Sequence, residues 1–217
     1  LFKVSNLSQL SLPLNIEKKI LSIIKKKIKK LDLIVFCDYN YGCLSQTLVD
    51  SIISLAKKNK VLISADSQSS SQIGNISRFR DVDLITPTEK EARISVGNNT
   101  DGLIILAEKL QKQSNCKNII LTLGPEGILI NSYIDRRGKH FPISFSNTKD
   151  RIPAMNKFPV DVCGSGDSLL IVSSLILAVG GNIWEASYLG SLAAVIQGSR
   201  TGNIAIQIDE ILDLIRR

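Results

Sequence analysis

Four short apolar runs rich in β-branched residues, 31–37, 61–65, 82–86 and 118–123, alternate with stretches of helical spacing. This alternation constrains the fold more than any other feature of the chain. After the first run, Ser45 stands where a helix N-cap belongs, and Leu48, Val49, Ile52, Ile53, Leu55 and Ala56 form one apolar face behind it. Strands alternating with helices over about 120 residues predict a mostly parallel sheet with helices on both faces. Ligands of such sheets sit beyond the carboxyl ends of the strands. The loops after Cys37, Ala65, Thr86, Leu123 and Cys163 are therefore expected along one rim.

The remaining elements follow the same logic. A lysine-rich helix starts after Asn15 as N-cap and ends near Lys30; a polar loop fills 66–80; helices begin at Thr88 and cover 103–113. Residues 127–130 follow the fourth strand, 133–145 read as an edge hairpin around Arg136-Arg137-Gly138-Lys139, and helices over 165–179 and 183–197 complete the core. No internal repeat or composition break divides the 217 residues, and a hydrophobic share of 44% is enough for one globular domain.

The net charge of +7 raises nucleic acid, a membrane surface or an anionic ligand as partners. Much of it is local. Lys18, Lys19, Lys25, Lys26, Lys27, Lys29 and Lys30 share a segment with Ile16, Ile20, Leu21, Ile23, Ile24 and Ile28, which gives one charged and one apolar helix face. No aromatic residue interleaves with these lysines, so neither nucleic acid nor membrane is an expected partner. The longest apolar run, 169–179, is too short to span a bilayer, and Cys37, Cys43, Cys116 and Cys163 lack metal-type spacing. A cytoplasmic protein with reduced thiols is the expectation. His140, the only histidine, falls in the hairpin and is assigned no catalytic role.

The densest chemistry lies at Pro159-Val160-Asp161-Val162-Cys163-Gly164-Ser165-Gly166-Asp167-Ser168. A strand-like segment, two glycines around a small residue and an aspartate opening a helix describe a loop with bare backbone amides. Such amides, with the positive helix end, stabilise an anion, and glycines let a phosphate approach the main chain. A carboxylate there repels the ligand. Asp167 is therefore either a first-turn dipole partner or the acceptor of a proton from a hydroxyl attacking the phosphate.

This stretch resembles the D-T-x-G-A-G-D signature of the ribokinase-like (PfkB) carbohydrate kinases. Four more segments fall in the family's order. Asp38-Tyr39-Asn40-Tyr41-Gly42 resembles the D-Y-x-K-G of the family's heptose 7-phosphate kinases, with Tyr41 in the place of lysine. Asp66-Ser67-Gln68 stands in the place of their D-P-K. Thr86-Pro87-Thr88-Glu89-Lys90-Glu91 resembles T-P-N-x-x-E, although Thr88-x-x-Glu91 is by itself a capping box. Thr122-Leu123-Gly124-Pro125-Glu126-Gly127 resembles T-x-G-x-x-G and is by itself a tight turn.

The resemblance implies a three-layer ribokinase-like α/β fold with a small edge hairpin. It implies transfer of the γ-phosphoryl group of ATP to a hydroxyl of a sugar or sugar phosphate. Asp167 matches the general base, and the amides of Gly164, Ser165 and Gly166 match the anion hole. Thr122, Gly124, Gly127 and Ser191 match the nucleotide site, Asp38 and Asp66 the substrate side, and Glu91 the residue that orders the water around Mg²⁺. Where relatives hold K⁺, Asp161 and the Val162 carbonyl match. The family's N-terminal region supplies sheet strands and much of the sugar surface, so residues 1–217 are expected to be the C-terminal two-thirds of a longer chain, with an exposed sheet edge and a homodimer as the open question of assembly. A second reading, from the missing lysines, is a catalytically reduced relative that binds nucleotide as a regulator or scaffold.

Overall fold

The computed structural model describes residues 11–69, 73–133, 148–156 and 158–216. Helix α1 (Leu14–Lys27) leads to strand β1 (Leu33–Asp38), helix α2 (Gln46–Lys58), strand β2 (Leu62–Ser67) and strand β3 (Leu84–Ile85). Helices α3 (Glu89–Val96) and α4 (Leu103–Ser114) then precede strands β4 (Asn118–Thr122), β5 (Ile128–Ser132) and β6 (Thr148–Ile152). Helices α5 (Ser165–Ala178), α6 (Ile183–Gly198) and α7 (Ile208–Ile215) complete the chain. The six strands are ordered β1 to β6 across one sheet; β1 to β4 run parallel, and β5 and β6 are antiparallel additions at one edge.

Strand alternation makes the three layers. Phe36, Ile63, Ala65, Ile85, Ile119, Leu121 and Leu129 join Val49, Ile52, Ala92, Leu106 and Leu110 in one core, so α1 to α4 cover one face. Leu84, Ile120, Ile128 and Ile130 point the other way and meet Leu169 of α5 and Ile183 of α6. Local caps hold the helices. The Ser45 side chain accepts from Leu48 N–H at 3.2 Å, and Thr88 with Glu91 closes a full capping box at α3.

Several expectations are corrected. Asn15 is not the N-cap of α1; the chain enters helix one residue past Pro13, whose carbonyl accepts from the amides of Ile16 and Glu17. The lysines of α1 are exposed as expected, but Ile16 and Ile23 are exposed with them, and Ile20, Leu21 and Ile24 make the contact with the core. The stretch before Gly164 is no strand, because the amides of Val160 and Asp161 donate to the Gly198 carbonyl at the end of α6 and to no sheet neighbour. The expected hairpin turn at 136–139 and His140 lie outside the described residues; the strand paired with β5 is Thr148–Ile152. Helix α7, unforeseen, is capped by Gln207 with Glu210 and fastened by an Arg200–Glu210 ion pair of 2.8 Å. No helix among the described residues is long and apolar enough to cross a membrane.

Candidate active site

The start of α5 is built to leave amides open. Gly164, the N-cap residue, takes a left-handed φ of 78°, and no side chain caps the helix. Ser165 N–H is spent on the Val162 carbonyl at 3.2 Å, while the amides of Gly166 and Asp167 have no partner among the described residues. A Cβ at Gly164 would meet Asn203 Oδ1 at 2.4 Å, whereas one at Gly166 would meet nothing within 4 Å. Gly164 is thus required by its own backbone and by a neighbour. Gly166 is the open face of the loop.

That face belongs to a cavity of about 910 Å³. Ser165 and Gly166 line one part of its wall, and Thr122, Gly124, Gly127 and Ser191, the residues expected to take nucleotide, line another. Their positions have local causes. Thr122 N–H donates to the Pro87 carbonyl at 2.9 Å, which joins the end of β4 to the start of α3. A 3₁₀ turn over Gly124–Glu126 then reverses the chain into β5, with Leu123 N–H donating to the Gly127 carbonyl at 2.8 Å. The turn and the cavity wall are the same residues. Ser191 donates its hydroxyl proton to the Ser187 carbonyl of its own helix at 2.8 Å, so it offers the cavity only oxygen lone pairs. Lys90 and Arg93 of α3 also line the cavity, although nothing in their local sequence marks them for it. Arg93 is tied to Glu89 at 2.7 Å and to the Asp101 carbonyl at 3.1 Å.

Asp167 is half-buried on the first turn of α5, and burial raises its carboxyl above the ordinary carboxylate range. Strand register decides which acids join it. Phe36 and Ala65 are paired across β1 and β2 and face the α1 to α4 core. Cys37 and its partner Asp66 therefore face α5. Asp66 is 8% exposed and its Oδ1 lacks a partner among the described residues; burial, then the charges of Glu91, Asp167 and Asp38, push its carboxyl up to about 7 against a hydrogen bond from Ser67 N–H. Burial and the same two acids, Asp167 and Asp66, raise the Cys37 thiol, and Asp167 chiefly raises the Tyr39 phenol.

Asp38, expected beside Asp66, turns to the opposite face. Its Oδ1 accepts from Asn40 N–H at 2.9 Å and its Oδ2 pairs with Arg78 at 3.0 Å, while Arg78 also donates to the Leu44 carbonyl and lies 4.8 Å from the Phe79 ring centre. Arg78 was missed because nothing local marks it; its partner is 40 residues away. Glu91 is buried, with Oε2 accepting from Thr88 N–H and Oγ1–H, both at 2.8 Å, and Oε1 from Ser69 N–H at 2.9 Å. The capping box is real, and the same carboxylate anchors the loop after β2. Asp161 accepts from Cys163 N–H and Gly202 N–H, which hold its carboxyl below the usual range. No group of three His, Cys, Asp or Glu side chains among the described residues could hold a metal ion alone.

Residues 9–209 match the model of the pfkB family carbohydrate kinases. The bifunctional protein HldE of Nitratiruptor sp. is 28% identical over 90% of this chain and 38% of its own length, and that of Campylobacter curvus 27% over 94% and 40%. The chain thus spans about two-fifths of these curated relatives. Phosphofructokinase-2 from Escherichia coli in complex with potassium superposes with a TM-score of 0.70 at 16% identity, covering 92% of this chain and 62% of that one. Arabidopsis thaliana ribokinase complexed with ribose and ATP gives 0.70 at 15%, covering 89% and 58%. These likenesses fix the fold as ribokinase-like, and the match over 9–209 makes this chain a member of the pfkB family of carbohydrate kinases.

Proposed function

We propose that the chain acts in an ATP-dependent kinase that transfers the γ-phosphoryl group to a hydroxyl of a sugar or sugar phosphate. The observation that carries this reading is the uncapped start of α5, whose Gly166 and Asp167 amides are free beside a cavity of about 910 Å³. Thr122, Gly124, Gly127 and Ser191 bind the nucleotide along the cavity wall, and the Gly166 and Asp167 amides, rather than that of Ser165, which is spent on Val162, receive the charge that develops on the transferred group. Asp167, next to these amides and shifted upward by burial, takes the proton of the attacking hydroxyl. Mg²⁺, when bound with the nucleotide, neutralises phosphate charge. Since Glu91 already accepts three hydrogen bonds, it reaches such an ion only through water.

In the full-length protein, Asp167→Asn is expected to keep ATP affinity while turnover on a sugar and sugar-phosphate panel falls by about 10² to 10⁴, the range for a general base. An ADP-coupled assay with calorimetric ATP titration reads both. Wild-type turnover in the variant would remove Asp167 from the chemistry. The internal engagement of Asp38 and Glu91 favours a second reading, a nucleotide-binding relative without transfer. ATP binding with no ADP formed on any acceptor is its signature.

A further inference from the structure

The resemblance places K⁺ beside the 164–166 loop in some relatives, and the residues of this chain do not fit that ion. Both carboxylate oxygens of Asp161 accept backbone protons, Oδ1 from Cys163 at 2.9 Å and Oδ2 from Gly202 at 3.2 Å. The Val162 carbonyl accepts from Ser165 N–H at 3.2 Å. Two other carbonyls converge, those of Cys163 and Gly202, and a side-chain donor already stands between them. Gln197 Nε2 lies 3.1 Å from the Cys163 oxygen and 2.8 Å from the Gly202 oxygen. Both partners are pure acceptors, so the amide must present its NH₂ group, and its two protons are both spent. Gln197 is 1% exposed, so the donor side of these bonds is shielded from water.

The same contact closes a clasp. The Gly198 carbonyl, one residue on, accepts from Val160 N–H at 2.7 Å and from Asp161 N–H at 3.3 Å, and Asn203 packs where a Cβ on Gly164 would go. Residues 159–164 and 199–203 are thereby fastened to each other and to the end of α6. We infer that the Gln197 amide does in this chain what a bound monovalent cation would do, neutralising two converging carbonyls and setting the 164–166 loop, so that nucleotide binding is independent of K⁺. The inference rests on the proposed nucleotide role of that loop, and Gln197 is a positioning residue.

The test compares KCl with tetramethylammonium chloride at equal ionic strength, first by thermal unfolding without nucleotide and then by calorimetric titration with Mg-ATP. The wild-type melting temperature is expected to agree within about 1 °C and the ATP affinity within about twofold, since a ligand that does not bind the folded state cannot stabilise it. Gln197→Glu, of the same shape, puts an oxygen against the two carbonyls; its melting temperature and ATP affinity are expected to fall in tetramethylammonium and to recover about tenfold in affinity with K⁺. A wild-type melting temperature raised by about 3 °C or more in K⁺ alone overturns the inference, as does a Gln197→Glu protein as stable as wild type and indifferent to K⁺. If Gln197→Glu does not fold, the wild-type comparison decides. Absence of ATP binding in both salts would refute the nucleotide reading, and the nucleotide-free melting comparison would still judge Gln197.

Discussion

Asp66 should make the protein less stable as pH rises, and its replacement should remove that dependence. The carboxyl is 8% exposed, faces Asp167 and Glu91, and is pushed from an ordinary 3.8 to about 7. Because the folded state holds the proton more tightly than the unfolded one, the contribution is full below about 4, is lost as pH rises towards 7, and stays lost above about 8. At about 1.4 kcal/mol per pH unit, a displacement of that size costs up to about 4 kcal/mol once the group ionises, and about 2–3 kcal/mol of it falls between pH 5 and pH 8. Asp66→Asn keeps the shape and never ionises. Urea unfolding at pH 5 and pH 8 should show the variant gaining on wild type by about 1–3 kcal/mol across the interval, the lower figure allowing for relaxation among the neighbouring acids. Parallel stability profiles for the two proteins would refute the burial argument for Asp66 and with it the placement of Asp66 on the Asp167 side of the sheet.

Two further substitutions separate scaffold from site. Glu91→Gln has one acceptor oxygen where Glu91 uses two, so either Ser69 N–H or the Thr88 donors lose a partner; a loss of about 1–2 kcal/mol in urea unfolding is expected, and a raised Mg²⁺ requirement in the ADP assay accompanies it only if the carboxylate also orders the ion's water. Gly127→Ala places a Cβ 2.1 Å from the Ile152 carbonyl oxygen at a φ of +94°, whereas Gly124→Ala, at φ +58°, meets nothing within 4 Å. The first should cost about 2–5 kcal/mol, lowering the melting temperature by about 5–15 °C, and the second about 1–2 kcal/mol; equal melting temperatures would show that the β5–β6 corner yields freely.

What could be read from the sequence was local or periodic. Ser45 and Thr88 announce α2 and α3 because a cap and the turn it serves lie within four residues. The apolar face of α2 survives because burial enforces its spacing, whereas α5, apolar nearly all round, buries Leu169, Leu170, Ser173 and Ser174 and leaves Ile171 and Leu175 exposed. Strand β6, Thr-Lys-Asp-Arg-Ile, carries no apolar alternation, since it forms the outer strand of the sheet, and β3 is only two residues long. Within the candidate site, Gly164 to Asp167 are contiguous, so their place at the start of a helix is visible in the sequence. The separation of Asp38 from Asp66 was not, because each follows an apolar strand and only the Cys37–Asp66 register shows that they face opposite ways. Arg78 and Gln197 act on partners 40 and 34 residues away, a distance over which one sequence carries no signal.

The charge of the chain sharpens what the α5 loop must do. The net surplus of +7 is not gathered at the site; the lysines of α1 stand in solvent on a helix packed against α2, over the face of the sheet that α5 does not cover. Where Asp167 sits, Asp66 and Asp167 are both shifted upward, and Glu91 and Asp167 both raise Asp66. An anion therefore approaches against an acidic field. Of the cations on the cavity wall among the described residues, Arg93 is already committed to Glu89 and to the Asp101 carbonyl, and Lys90 is exposed to solvent, where its charge is screened. Under the proposed function, recognition rests on fixed dipoles, the amides of Gly166 and Asp167, unpaired among the described residues, at the positive end of a 14-residue helix, which attract phosphate without adding a side chain. That is why open space around Gly166, and a clasp that holds the loop without a mobile ion, matter more to this site than its count of lysines.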